Sequence, residues 1–312
     1  MVIYVLRHPG AFGGILVTTA LADGAIGGAV EMSGGSFTKV IQRSLRLLAL
    51  AIASLVVLVP LGYLLLNSVK PQSEMYTIPP IIFPSHITFE HFEAAFNNPR
   101  TLRFLTNSLT VTGITTVVTV VVSTMAAYGL SRMGLRASVL SLIVFVFLFI
   151  RFYPRITTVI PYFLVMRQLA LLDTVWAVII GHLGITIPFV TWLMLIVFQD
   201  LPREVEEAAE VDGASPLQRF GLVALPMAAP GVASAAILTA FLSWNEFLIA
   251  SSVTKRQAQV LSIAVASFVT DRGVQWGPMA AMAVIMIVPM ILFALFVQRY
   301  LIRGITLGAV KG

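Results

Sequence analysis

The sequence predicts an all-α polytopic membrane protein with six membrane-crossing helices. Three observations carry that expectation: 58% of the 312 residues are hydrophobic, only 11% are charged, and the mean hydropathy is +0.94. Soluble domains carry about a quarter charged residues. A crossing helix needs about 20 apolar residues, so this length holds six with their loops and leaves no room for a soluble catalytic domain. Helices are required because an open sheet cannot satisfy its backbone groups in lipid. The 16 prolines and 22 glycines suit kinked membrane helices. No cysteine is present, which removes disulfide and thiolate chemistry. The histidines (His8, His86, His91, His182) are too scattered for a metal site, and no cofactor is expected.

The first span is Leu47–Leu66, 20 residues without a charge, placed at about 45–66 and preceded by Lys39, Arg43 and Arg46. The second, about 109–130, lies in the charge-free run between Arg103 and Arg132. The third, about 137–158, runs through LSLIVFVFLFI and then meets Arg151, Pro154, Arg155 and Pro161. The fourth lies within about 174–198, the fifth within about 228–252 and the sixth within about 278–302. Residues 1–42 are expected as an N-terminal cytoplasmic segment, 43–303 as the membrane domain and 304–312 as a C-terminal tail.

Lys and Arg are retained on the cytoplasmic side of membrane proteins. With an even number of spans both termini share a side. Lys39, Arg43, Arg46, Arg132, Arg136, Arg299 and Arg303 then all face the cytoplasm of a plasma or inner membrane. Over the whole chain the 20 basic residues divide eleven inside to nine outside. Residues 1–31 are Gly-rich, interrupted by Asp23 and too weak for a span, and no signal-peptide cleavage pattern follows them. Met32 reads as the more natural start, which leaves a translated extension and an over-extended start codon both open.

Acidic residues number 14, and six of them (Asp200, Glu204, Glu206, Glu207, Glu210, Asp212) fall within thirteen positions. Pro202–Gly213, PREVEEAAEVDG, places Pro early and Gly at the end around strong helix formers, which predicts a short cytoplasmic helix. ASPLQRFGL after it predicts a second short amphipathic helix before Leu225-Pro226 returns the chain to the membrane. On composition alone this is a solvated loop.

The spacing adds a second reading. Glu207-Ala208-Ala209, Gly213, Val223 and Leu225-Pro226 resemble the EAA signature of ATP-binding-cassette importer permeases, with Val223 where that family usually carries Ile. The resemblance implies a type I importer permease architecture with a cytoplasmic coupling helix between spans four and five. It also implies an ATPase-coupling role for Glu207, Ala208, Ala209, Asp212, Gly213, Leu225 and Pro226. The residue types suit docking, since small residues permit close approach, a carboxylate pairs with a cation and a glycine reverses the chain.

Further stretches resemble the carbohydrate branch of that family, specifically the second permease subunit of maltose-type transporters. These are Asn107-Ser108, Ala126-Ala127-Tyr128 with Arg132, Leu171-Leu172-Asp173-Thr174-Val175-Trp176, Trp244-Asn245-Glu246-Phe247 and the tail from Gly304 to Gly312. The match runs from about Leu45 to the end. It implies half of a translocation pathway for a sugar or oligosaccharide. The implied partners are a second permease subunit, an ABC ATPase dimer contacted by the tail through Gly304, Thr306 and Lys311, and an extracytoplasmic solute-binding protein. The last is reached by the outer loop Thr254–Trp276.

Ionisable residues at membrane depth are functional candidates because burying them is costly. Arg151 either snorkels to headgroups or turns its planar donors to the pathway. Asn245 and Trp244 offer an amide and an apolar face for a sugar, or else an interfacial aromatic and a helix-packing amide. Glu246 is placed at the outer mouth, and His182 is read as a packed, hydrogen-bonded histidine. A polyamine or other small polar solute is the alternative cargo. A self-sufficient secondary transporter would need an ion-coupling set or an internal repeat, and the sequence offers neither. No Gly-x4-Gly-Lys-Ser/Thr pattern occurs, so ATP hydrolysis belongs to another chain.

Overall fold

The computed structural model describes residues 34–309, with side chains described for 41–295. The N-terminal segment 1–31 and Lys311 lie outside the described residues, and Gly304 and Thr306 are described by their backbone alone. The chain falls into two compact units, Met1–Gly62 and Tyr63–Gly312.

Helix α1 (Gly34–Ser68) starts in the first unit, and its side chains from Leu45 to Val59 stay exposed, as lipid-facing residues do. In the second unit α2 (Glu90–Asn97) and α3 (Pro99–Arg132) follow a loop. Helix α3 begins with Asn98 as N-cap, its side chain accepting from the Arg100 N–H, and with Pro99 in the first turn, where its missing N–H costs nothing. At 1.5 Å per residue its 34 residues span about 50 Å.

The predicted third span is two helices, α4 (Ala137–Phe152) and α5 (Ile156–Gln168), bent by 91°. The residue before a proline is pushed out of the helical region, and Tyr153 before Pro154 is extended at ψ 136°. Helix α6 (Val175–Gln199) is capped by the Thr174 hydroxyl, which accepts from the Ala177 N–H.

Between α6 and the next crossing lie α7 (Arg203–Val211) and the single turn α8 (Pro216–Gln218). The turn continues through a π-helical segment, Arg219–Ala224, into α9 (Leu225–Trp244). The predicted second short helix therefore does not stand apart. It forms the first turns of a 29-residue helix, Pro216–Trp244. Pro226 has no N–H for the usual i−4 bond, and the widened turns before it absorb that loss. The predicted fifth span ends early, at Trp244, and a short α10 (Leu248–Val253) follows. After α11 (Leu261–Ala266) a two-strand hairpin, β1 (Val269–Thr270) and β2 (Gly273–Val274), precedes α12 (Trp276–Ala309).

Among the described residues five helices are long and apolar enough to cross a membrane, or six if the bent α4–α5 pair is one span. The described residues are all-α apart from the hairpin, as the sequence predicts. Helix association in lipid rests on close packing and polar contacts between helices. Along α3 and α6, Thr119 and Thr186 hydroxyls meet at 2.7 Å, and the Ser123 hydroxyl donates to the Ile187 carbonyl at 3.1 Å. A Cβ on Gly231 of α9 would lie 2.7 Å from Val197 of α6, so only glycine admits that approach. The core around them holds Val190, Met194, Leu195 and Phe198 of α6 against Ala127, Ala224 and Ala228.

Candidate functional site

Helix α7 has two faces set by the 3.6-residue period. Glu204, Glu207, Ala208 and Val211 lie on one face and are exposed, Val211 by 87%. Glu206 points the other way and is buried. Its carboxylate takes a forked pair of bonds from Arg132 at the end of α3, with the Arg132 Nη2 at 2.5 Å. The Tyr128 hydroxyl donates to the second carboxylate oxygen at 2.9 Å. Arg132 also donates to the Phe198 carbonyl at the end of α6 (3.1 Å), and the Tyr128 ring sits 5.5 Å from Phe198 and 5.0 Å from Phe220. Burial pushes the Glu206 carboxyl up, but the Arg132 and Tyr128 bonds outweigh it and hold it below the usual carboxylate range.

On the same side of α7, Glu210 is paired with Arg219 in the π-helical segment, and Arg203 donates to the Ser131 carbonyl at 3.1 Å. The ends of α3 and α6 and the start of the α9 rod therefore meet at one plate beneath α7. The helix ends at Asp212, and Gly213 takes φ 86°, where L side chains are strained. The Gly213 and Ala214 N–H groups return to the Glu210 and Ala209 carbonyls, a Schellman closure. Of the other residues singled out for coupling, Ala209 and Leu225 are half-buried, while Asp212 and Pro226 are exposed.

Sequence reasoning assigned the coupling charge to Glu207 and missed Glu206 as the anchor. The signal was available. Arg132 ends a run that carries no charge after Arg103 and needs a partner, and Glu206 is the acid whose position on a nine-residue helix opposes the Glu207 face.

At the break after α9, the indole N–H of Trp244 donates to the Met286 carbonyl at 3.1 Å and the ring packs with Phe104, Leu261 and Met282. Asn245 is exposed and gives one amide proton to the Phe241 carbonyl (2.9 Å). Glu246, expected at the outer mouth, is buried. Its carboxylate accepts from the Ile249 and Ala250 N–H groups at 3.1 and 3.2 Å, capping α10. Its other neighbour is His182, whose Nε2 lies 3.3 Å away while Nδ1 meets Ser243 at 2.8 Å. Trp244 and Glu246 thus spend their polar atoms inside the chain. Arg151 sits apart from this group, half-buried on α4, its guanidinium 4.8 Å from the Phe189 ring centroid.

The far end of α3, about 50 Å from Arg132 by helix rise, holds a second ordered assembly. Asp173 adopts φ 58°, a conformation that aspartate tolerates. Its carboxylate accepts from the backbone N–H groups of Lys255, Arg256, Gln257 and Ala258 at 2.9–3.2 Å. Burial raises its pKa, and those four donors more than reverse the effect, leaving it low. Asn107 donates to the Gln257 and Gln259 carbonyls (2.7 and 2.9 Å), and the Ser108 hydroxyl accepts from the Leu261 N–H (2.8 Å). Asn107-Ser108 and Asp173, far apart in sequence, jointly clamp one loop.

The comparisons with known proteins agree with this architecture. Residues 94–307 match the family described as "Binding-protein-dependent transport system inner membrane component". The trehalose transport system permease protein SugB of Mycobacterium tuberculosis is 34% identical over 258 residues, covering 82% of this chain and 93% of that one. The sulfoquinovosyl glycerol transport system permease protein SmoH of Agrobacterium fabrum is 32% identical over 273 residues, 86% and 94% of the two chains. A solved structure of a bacterial ABC transporter involved in the import of the acidic polysaccharide alginate superposes with a TM-score of 0.70. It has 23% identity and covers 84% of this chain and 97% of its own, a likeness of fold. With these six potential crossings, the α7 plate and a family match over most of the length, the chain belongs to the inner-membrane components of binding-protein-dependent transport systems.

Proposed function

We propose that this chain is one of two permease subunits in an ATP-driven importer of a sugar or oligosaccharide. Several of the relatives that cover most of the chain, the trehalose and sulfoquinovosyl glycerol permeases among them, carry sugar-transport names, which supports that cargo class. In this reading the α7 end lies in the cytoplasm, as the basic residues flanking the spans favour, and both termini lie there too. A separate ATPase dimer hydrolyses ATP, and an extracytoplasmic binding protein delivers the solute to the opposite end.

The observation that carries the reading is the division of α7 into an outward face and an anchored face. Glu204, Glu207, Ala208 and Val211 are left for a partner, while Glu206 is tied to α3 and thereby to α6. A rigid peg held on one side and gripped on the other passes motion into the crossings with little loss. When ATP draws the ATPase subunits together, α7 moves with them. The plate of Tyr128, Arg132, Phe198 and Phe220 carries that displacement into α3, α6 and α9, a two-state rigid-body switch. This chain performs no bond chemistry. The C-terminal tail, with Gly304, Thr306 and Lys311, adds a second ATPase contact.

The test uses the whole complex in liposomes. Glu207→Lys reverses the charge on the outward face, and Gly213→Pro demands φ near −65° where the chain needs +86°. Both are expected to abolish ATP hydrolysis coupled to solute while subunit insertion stays intact. Wild-type coupling in both variants contradicts the reading. In the same assay Asn245→Leu separates a pathway residue from a packing one: slowed uptake with normal assembly places it on the route, and unchanged kinetics removes it.

A further inference from the structure

We propose that the cavity at the α7-distal end of α3 is a binding site for an anionic saccharide, one carrying carboxylate or sulfonate groups. The proposal deepens the importer reading and rests on it, because it names the solute class met at the outer side. The cavity is about 600 Å³, inside the usual 300–1,000 Å³ range of small-molecule sites. Four cations line it: Arg100 and Arg103 on the first turns of α3, and Lys255 and Arg256 on the clamped loop. Among the described residues none of the four is in an ion pair.

Four like charges around one hollow repel one another, and a bound anion relieves that repulsion. The positive end of the α3 dipole opens into the same hollow through Asn98, Arg100 and Thr101. The remaining wall is not that of a bare anion trap. Thr101 is 2% exposed and its hydroxyl has no partner among the described residues, Gln259 supplies an amide, and Phe104 and Phe268 supply apolar surface. Cations for acid groups, neutral donors and acceptors for hydroxyls and an aromatic wall for a ring face together fit an acidic sugar.

The clamp explains how the site is held ready. Asp173 gathers four consecutive N–H groups of the loop, and Asn107 takes two of its carbonyls. Lys255 and Arg256 are therefore presented on a fixed backbone, and little ordering is left for the ligand to impose.

The experiment is calorimetric titration of the full-length protein in lipid nanodiscs with tetragalacturonate, maltotetraose and inorganic phosphate, at low and high salt. The tetragalacturonate is expected to bind, to weaken with salt and to lose about tenfold or more in Kd in the triple variant Arg103→Gln, Lys255→Gln, Arg256→Gln. Arg103→Lys, which keeps the charge, should retain binding, and an unchanged melting temperature in both variants shows that folding survives. Equal binding of maltotetraose, no binding of tetragalacturonate or phosphate binding as tightly as the saccharide each overturns the proposal. So does a variant that loses only stimulation of the ATPase by the binding protein, since the cavity then grips a polypeptide. Failure of the Glu207 and Gly213 coupling variants to uncouple, with saccharide binding intact, would strike the importer reading and leave the cavity standing.

Discussion

Glu206 and Glu207 are adjacent residues of one type, and helix geometry sends them to opposite tasks. The Glu206–Arg132 pair is mostly out of water, with 8% and 17% of the side chains exposed. Removing one partner of such a pair costs on the order of 3 kcal/mol, since the other charge is left stranded. Glu206→Gln is therefore expected to lower the melting temperature of the purified protein by several degrees, whereas Glu207→Gln should leave it unchanged; equal melting temperatures would refute the anchor. The pair also fixes a pH dependence. The folded Glu206 pKa lies below the ordinary one, so its contribution is complete above the usual carboxylate range of about 4.3 and is lost as pH falls below it. Asp173 follows the same sign with a local readout: hydrogen exchange at the amides of residues 255–258 should be slow at neutral pH and rise in Asp173→Asn. Fast exchange in the wild type would contradict the clamp.

At the scale of elements, what a sequence reveals depends on what ends each helix. Hydropathy places the crossing helices because a charge-free run of 20 residues has no other stable home in lipid. The α4–α5 bend was half legible, since Pro154 and Pro161 stand in plain view, but a 91° turn needs packing that no local pattern encodes. The break between α9 and α10 was hidden. Residues 244–253 remain apolar enough to read as one span, and the interruption comes from Glu246 turning its carboxylate onto the Ile249 and Ala250 amides. The same holds for the Asp173 clamp, whose partners lie more than 80 residues away. The short helix between the fourth and fifth crossings was legible in the sequence because Gly213 at φ 86° and the early Pro202 are local requirements. Its anchor was not, because the Arg132 partner is 74 residues distant.

For the whole molecule, the two ends of α3 frame the account. One end holds a polar plate under α7, the other a cationic hollow backed by a clamped loop, and about 50 Å of helix packed along α6 joins them. In the proposed function, the outward face of α7 is a handle for a separate ATPase on the cytoplasmic side. The absence of cysteine makes it directly testable, because a single introduced thiol is the only one in the chain. Val211→Cys, 87% exposed at the tip of α7 in the parent, should react with a membrane-impermeant maleimide in inside-out vesicles. It should also cross-link to the ATPase subunit in the assembled complex. Labelling from the outer face only, or an assembled complex in which this thiol never joins the ATPase, would contradict the account.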